Sequence, residues 1–343
     1  MTWIYGSAKQ IGISHKETGA PCQDSFDIER SEDGKWIATA VCDGAGTAKH
    51  SEQGARLVSK TFAKSLILLS KEIEKRPPGV WINDFVIQQI LNVRDQLRLE
   101  AKSDDLKDFH TTLVAFLMSD FGGFAIHIGD GAILGGVAKE SGNLTEIDDN
   151  FFMSKPENGE YANETFFITE GDWVKHLRIT PMPSLDWVFV GTDGGSAFFA
   201  DPTNNPKKDF ITSFIIDLKK RDLDSLSERV LEILSDKQAD KITNDDKTLI
   251  FFAKKNFMRK RIKIAFKDAK EIDIANYPAE RHSGTLHKLW QSKFKKRDTS
   301  KKVKRRFLAL LIAIFAISIV TLLVFYLHYH INMFIIWITQ HIS

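Results

Sequence analysis

Four short stretches of this sequence set an aspartate at the edge of an apolar run, usually beside a glycine. They are Val41-Cys42-Asp43-Gly44, Ile128-Gly129-Asp130-Gly131, Val190-Gly191-Thr192-Asp193-Gly194 and Asn244-Asp245-Asp246. Short apolar runs rich in β-branched and aromatic residues predict strands. A strand end is a rigid mount for a carboxylate, and an adjacent glycine admits close approach by backbone or ligand. Carboxylates converging from several strand ends repel one another unless a cation sits among them. Oxygen donors with no Cys or His cluster suit Mg²⁺ or Mn²⁺ rather than zinc. One Asp-Gly is usually no more than a turn. Four strand-end aspartate stretches in one chain, three of them Asp-Gly, point to a hard-cation site.

The elements that must carry these aspartates can be read from periodicity. Strands are predicted at 36–41, 112–118, 123–128, 186–190 and 248–253. Helical spacing marks 52–75 and 80–101, with Leu57, Phe62, Leu66 and Leu69 on one stripe, and two shorter helices at about 208–219 and 223–236. Strands and helices come in blocks rather than in strict alternation, which favours an α+β layered domain. Residues 139–185 are polar and interrupted by Pro and Gly, and read as an insertion or flap beside the core.

Composition narrows the function classes. The chain has 343 residues, a hydrophobic fraction of 43%, a charged fraction of 27% and a formal net charge of +2. Residues 288–306 hold ten Lys/Arg and one Asp, leaving −7 on the remainder. A mildly acidic body argues against nucleic-acid binding. The two cysteines, Cys22 and Cys42, are too few for a disulfide framework and read as buried core in a reducing compartment. Phe307 to Leu327 is 21 residues without a charge, preceded by the basic run and followed by none. At about 1.5 Å per residue it spans roughly 30 Å, a bilayer core. The positive-inside rule then keeps the body cytoplasmic. The expected organisation is a body at 1–255, a basic linker at 256–306 that could also meet membrane lipid, a transmembrane helix at 307–327 and a short tail at 328–343 on the far side.

In order along the chain stand Gln23-Asp24, Asp43-Gly44-Ala45-Gly46, Thr111-Thr112-Leu113, Gly129-Asp130, Thr192-Asp193-Gly194 and Asp245-Asp246-Lys247-Thr248. This succession, over about residues 6 to 253, resembles the PP2C (PPM) family of metal-dependent serine/threonine protein phosphatases. Ser14-His15 followed by Gly19-Ala20-Pro21-Cys22-Gln23-Asp24 is similar to a bacterial subgroup. The resemblance implies an αββα sandwich of two antiparallel sheets flanked by helices. It implies two Mn²⁺ or Mg²⁺ ions, with Asp43 bridging both, the Gly44 carbonyl on the second, Asp193 and Asp245 on the first, and Asp24 or Gln23 reaching them through water. Asp130 matches a ligand of a third ion. The implied reaction is hydrolysis of phosphoserine and phosphothreonine by a metal-activated water, without a protein nucleophile. Thr111 and Thr112 would support the metal shell. The implied partners are a phosphoprotein and a cognate kinase, met at the cytoplasmic face of a bacterial inner membrane.

The sequence also departs from the family pattern. No Arg lies between positions 1 and 29, leaving His15 as the nearest phosphate-binding residue. Gln23 replaces a commoner Glu, Ala45 stands where some relatives carry a His, and Ala197 stands where the third ion's other ligand is usual. Two alternatives follow: a catalytically weak or inactive module that binds a phosphoprotein or kinase at the membrane, or a hydrolase of small phosphate metabolites.

Overall fold

All five predicted strands form, each within a residue of its expected ends. The computed structural model describes residues 3–141, 144–147, 150–157 and 165–259. The chain begins with β1 (Trp3–Gln10), a one-and-a-half-turn helix α1 (Ile13–Thr18), β2 (Ser25–Arg30) and β3 (Ile37–Cys42). Two long helices follow, α2 (Ser51–Ile73) and α3 (Trp81–Ala101). Then come β4 (Leu113–Ser119), β5 (Gly122–Ile128), β6 (Ala132–Gly136), β7 (Ala138–Ser141), β8 (Leu144–Ile147) and β9 (Phe152–Ser154). After β10 (Arg178–Met182) and β11 (Trp187–Gly191) stand α4 (Asp193–Ser196), α5 (Lys208–Lys219), α6 (Leu226–Ser235) and α7 (Ala239–Ile242). The described chain closes with β12 (Lys247–Lys254) and α8 (Lys255–Arg259).

Two five-stranded sheets, all antiparallel, run β1-β12-β11-β6-β9 and β10-β5-β4-β3-β2. Their central strands are buried on both faces, which is why they read as unbroken apolar runs. In β4, Val114, Phe116 and Met118 point between the sheets, while Leu113, Ala115 and Leu117 pack toward α2 and α3. In β12, Ile250 and Phe252 point between the sheets, and Leu249, Phe251 and Ala253 join Phe210, Phe214 and Val230 of α5 and α6. The layers are therefore helix pair, sheet, sheet, helix pair, the sandwich that the resemblance implies.

The helices bury one stripe each. In α2 it runs through Ala55, Val58, Phe62, Leu66 and Leu69, and in α3 through Ile82, Val86, Ile90, Val93 and Leu97. Steps of three and four residues keep each stripe on one face. Leu57, expected on the first stripe, is only half-buried; Val58 takes that place. Residues 139–185 do more than stand beside the core. Within them β9 pairs with β6 at the edge of one sheet, β10 pairs with β5 at the edge of the other, and Ile168 and Trp173 are buried. The packed body also continues past Lys255, since Phe257 and Met258 of α8 are buried against the α5–α6 side. Among the described residues no helix is long and apolar enough to cross a membrane. The span expected at 307–327, with its basic linker and tail, lies outside the described residues.

Candidate active site

Register gathers the aspartates. Ser25 pairs with Cys42, so Asp24, just before β2, and Asp43, just after β3, leave their sheet side by side. Leu113 pairs with Ile128, which puts Asp130 at the same end of that sheet. In the other sheet Gly191 pairs with Leu249 on one side and Ala132 on the other, so Asp193 and Asp245-Asp246 also emerge together. Close approach then fixes the turns. A Cβ on Gly194 would lie 2.0 Å from the Asp246 carbonyl oxygen, and one on Gly12 would lie 2.3 Å from the Asp245 carbonyl carbon. Only glycine permits either contact.

Asp43 is held from behind. Its N–H donates to Thr112 Oγ1 at 2.9 Å, and its carbonyl accepts from Thr111 Oγ1 and Thr112 N–H at 2.8 Å each. Asp24 is fully buried; its Oδ2 accepts from Thr192 Oγ1 at 2.8 Å, and its carbonyl accepts from Lys9 Nζ at 2.9 Å. Asp193 Oδ1 accepts from the Gly194 N–H at 2.6 Å. Asp245 Oδ1 accepts from the Asp246 N–H at 2.8 Å. Asp130 Oδ2 accepts from Thr165 Oγ1, while its buried Oδ1 has no partner among the described residues.

Burial first, and then one another's charge, holds protons on these carboxylates. Burial, then the charges of Asp24, Asp193, Asp130 and Asp245, raise the pKa of Asp43 well above its ordinary value. Asp193 is pushed up to about 7, by burial first and then by Asp130 and Asp245, and its carboxyl is in hydrogen-bonding contact with that of Asp43. Burial is also the larger cause for Asp24, with Asp246 and Asp193 adding to it. Asp130 is raised by burial and by Asp245. Like-charged groups this close in a site with little water favour the protonated form unless a cation replaces the proton. All the donors are hard oxygens, and Asp130 offers a buried one with no partner, so the group suits Mg²⁺ or Mn²⁺. Among the described residues no three His, Cys, Asp or Glu side chains stand together closely enough to hold one metal ion.

The family profile described as protein phosphatase 2C matches residues 11–244, about two thirds of the chain and every turn just described up to Asn244. The chain belongs to the protein phosphatase 2C family. Its members are serine/threonine protein phosphatases, and this chain is one of them. Among the curated proteins, serine/threonine-protein phosphatase 3 of Escherichia coli (strain K12) is 29% identical over 260 residues, covering 73% of this chain and 97% of its own. A bacterial serine phosphatase crystal structure has a TM-score of 0.49 at 12% identity, covering 73% of this chain and 97% of its own. The catalytic domain of the phosphatase PstP, solved in complex with two manganese ions, has a TM-score of 0.41 at 14% identity, covering 74% and 98%.

The sequence picked out Asp24, Asp43, Asp130, Asp193 and Asp245, and the fold of this phosphatase domain brings all five to one end of the sandwich. Gly44, buried beside them, forms a bridge with Thr111. His15 stands in α1, its Nδ1 2.9 Å from Asp246 Oδ2. Three supporting residues went unrecognised in the sequence. Thr192 and Thr165 orient Asp24 and Asp130, and Asp246, quoted only as the neighbour of Asp245, is the most heavily bonded carboxylate of the site. An Asp-Asp pair before a strand was a signal that two roles were present. Of the two cysteines expected in the core, only Cys42 lies there. Cys42 is fully buried and Cys22 half-buried, and burial followed by the charge of Asp24 pushes the Cys22 thiol up to about 12.

Proposed function

We propose that this phosphatase hydrolyses phosphoserine and phosphothreonine on proteins with two Mg²⁺ or Mn²⁺ ions. Asp43 would bridge them, the Gly44 carbonyl would bind one, Asp193 and Asp245 the other, and Asp24 would act through water, with Asp130 offering a ligand for a third. The observation that carries this reading is the strand register that brings Asp24, Asp43, Asp130 and Asp193 out at adjoining strand ends, where burial first and then one another's charge raise their pKa values. A protein holding this much like charge at one point is built to exchange protons for a cation. When bound, such a pair lowers the pKa of a water molecule and neutralises phosphoryl charge. The chain's own residues supply the frame. Thr111 and Thr112 fix the Asp43 backbone, Thr192 turns the Asp24 carboxyl, and Thr165 leaves Asp130 one oxygen for a ligand. No side chain is needed as a nucleophile, and His15 is the residue we assign to the substrate phosphate.

The membrane half of the reading rests on residues 288–327 of the sequence: an uncharged stretch of 21 residues behind ten positive charges. It places the catalytic body at the cytoplasmic face of a membrane, within reach of anionic lipid and of a kinase whose products it reverses. Protease protection tests it, since in sealed right-side-out vesicles the body should be cleaved only after the membrane is permeabilised.

Phosphate release from a phosphopeptide by the full chain should require Mn²⁺ or Mg²⁺. Asp43→Asn and Asp193→Asn should each lower it by about a thousandfold, the scale of charge stabilisation that metal ions supply at a phosphoryl group. Phosphopeptide binding without turnover at saturating Mn²⁺ would instead support a binding module.

A further inference from the structure

The solvent face of α2 carries one sign of charge. Between Gly44 and Lys71 the chain holds five cations, Lys49, Arg56, Lys60, Lys64 and Lys71, against one anion, Glu52, although the body as a whole is acidic. All five cations are exposed, and Glu52 is half-buried. Arg56, Lys60 and Lys64 follow one another at steps of four, so they stand in line along the outer face, about 6 Å apart in rise. Lys71 continues the line and pairs with Glu32 at 3.5 Å. Arg56, Lys60 and Lys64 have no carboxylate within ion-pairing distance among the described residues. Like charges at i and i+4 destabilise a helix, so this line costs stability in the free protein unless something anionic lies on it. The line begins at the site. A Cβ on Gly44 would lie 2.8 Å from Ser51, and Ser59 Oγ donates to Ser25 Oγ at 3.1 Å, which sets Lys60 level with the Asp24–Asp43 end of the sheet. From there α2 runs to the far end, where Trp36 Nε1 donates to Glu74 Oε1 at 3.1 Å. Acid borders it on both sides: α3 exposes Asp84 and Glu100, and the edge strand β2 carries Asp27 and Glu29.

We infer that this ridge is a docking rail for the acidic flank of the phosphoprotein substrate, an extended segment with Asp or Glu at alternate positions. In an extended chain, residues two apart point the same way and lie about 6.6 Å apart, close to the ~6 Å rise between cations at steps of four. Three such carboxylates meet Arg56, Lys60 and Lys64 in register, and Lys49 stands on the loop between the rail and Asp43. A membrane surface fits the ridge less well. The ridge is one helix face wide, and the acids of α3 and β2 on either side would meet anionic headgroups. The described chain also ends at α8, which packs against the other helix layer, on the α5–α6 side. A single peptide lies between the acidic borders without touching them.

This inference rests on the phosphatase reading, and the experiment keeps the two apart. Full-length wild type and the triple variant Arg56→Gln, Lys60→Gln, Lys64→Gln are compared with Mn²⁺ on two phosphoserine peptides and on para-nitrophenyl phosphate. One peptide is flanked on both sides by alternating Glu and Ser, the other by Ser alone. Wild type should show a KM about tenfold lower for the Glu peptide at equal kcat, the sum of three exposed ion pairs, and the gap should close at about 0.5 M salt. The triple variant should lose the gap and keep the wild-type rates on the Ser peptide and on para-nitrophenyl phosphate. It should also melt no lower than wild type, since like-charge crowding is relieved. Equal KM values in wild type, or a gap that survives in the triple variant, overturn the rail. A variant that keeps the gap but loses a rate difference between phosphatidylglycerol and phosphatidylcholine vesicles assigns the ridge to lipid, and overturns it too. A wild type without metal-dependent turnover sinks the phosphatase reading itself. Anisotropy of the labelled Glu peptide in chelator then decides the rail alone: wild type should bind about tenfold more tightly than the triple variant, and equal binding overturns the inference.

Discussion

Two walls flank the carboxylate end of the sandwich, and they are held by opposite charges. On one side the 12–23 arch is clasped by Asp246, a buried anion accepting two backbone N–H groups. On the other, the 165–178 segment is clasped by Arg94 of α3, a buried cation whose Nη1 donates to the Ile168 carbonyl at 2.5 Å and the Glu170 carbonyl at 2.8 Å. That second wall is also joined to the site by Thr165 on Asp130 and by the Ile168 N–H, which donates to the Thr111 carbonyl at 3.0 Å. In both cases irregular backbone that cannot pair with a sheet is satisfied by one long-range side chain. The difference lies in the groups left behind if the clasp is removed. A carbonyl has two lone pairs and is often under-satisfied in native structures, whereas a buried N–H has one hydrogen and is rarely orphaned.

The comparison can be broken by mutation. Asp246→Ala should be the most destabilising change, about 4 kcal/mol for two orphaned N–H groups, read as a shift in the urea midpoint. Arg94→Met should cost less, about 2 kcal/mol, and its loosening should appear as faster amide exchange confined to 165–178. The reverse ranking would mean that the charge of Asp246, crowded by Asp24, offsets most of its bonding. Asp246→Asn, which loses the charge and one of the two acceptor oxygens, should fall between the parent and Asp246→Ala.

The pH dependence bears on the same crowding. Asp193, pushed up to about 7, has a folded pKa above that of an ordinary aspartate, and Asp43 and Asp24 are raised in the same sense. Such groups bind protons more tightly in the folded state, so metal-free stability is greatest in mild acid and falls as pH rises through about 7. Melting of chelator-treated protein should therefore be higher at pH 5.5 than at pH 8, and added Mn²⁺ should raise it most at pH 8. A flat profile would show that neither burial nor mutual charge raises these carboxyls. The smallest effect expected is that of Thr165→Val, about 1 kcal/mol, or roughly 2–4 °C in a domain of this size.

What was legible in the sequence tracks how local each signal is. Central strands such as β3 and β12 announce themselves because both faces are buried. The strands that were missed, β1, β2, β9 and β10, are sheet edges, with half-exposed residues such as Tyr5, Asp27 and Arg178 interrupting any apolar pattern. Three more were missed: β6 is short and ends in two glycines, and β7 and β8 pair only with each other. Asp43, Asp130 and Asp193 were found for the same local reason, each being the first carboxylate after an apolar run. Thr165, Thr192 and Arg94 carried no such mark, since each acts on a residue at least 35 positions away in the chain.

The sequence by itself determined the central strands, the long helices and the aspartates at the strand ends, because burial on both faces and a 3.6-residue stripe are properties of contiguous residues. Tertiary structure alone decided that Asp24 lies beside Asp43, that Asp246 clasps Gly12, His15 and Gln23, and that Arg94 secures the opposite wall. Those contacts join segments up to 234 positions apart, and only strand register brings such segments within hydrogen-bonding distance.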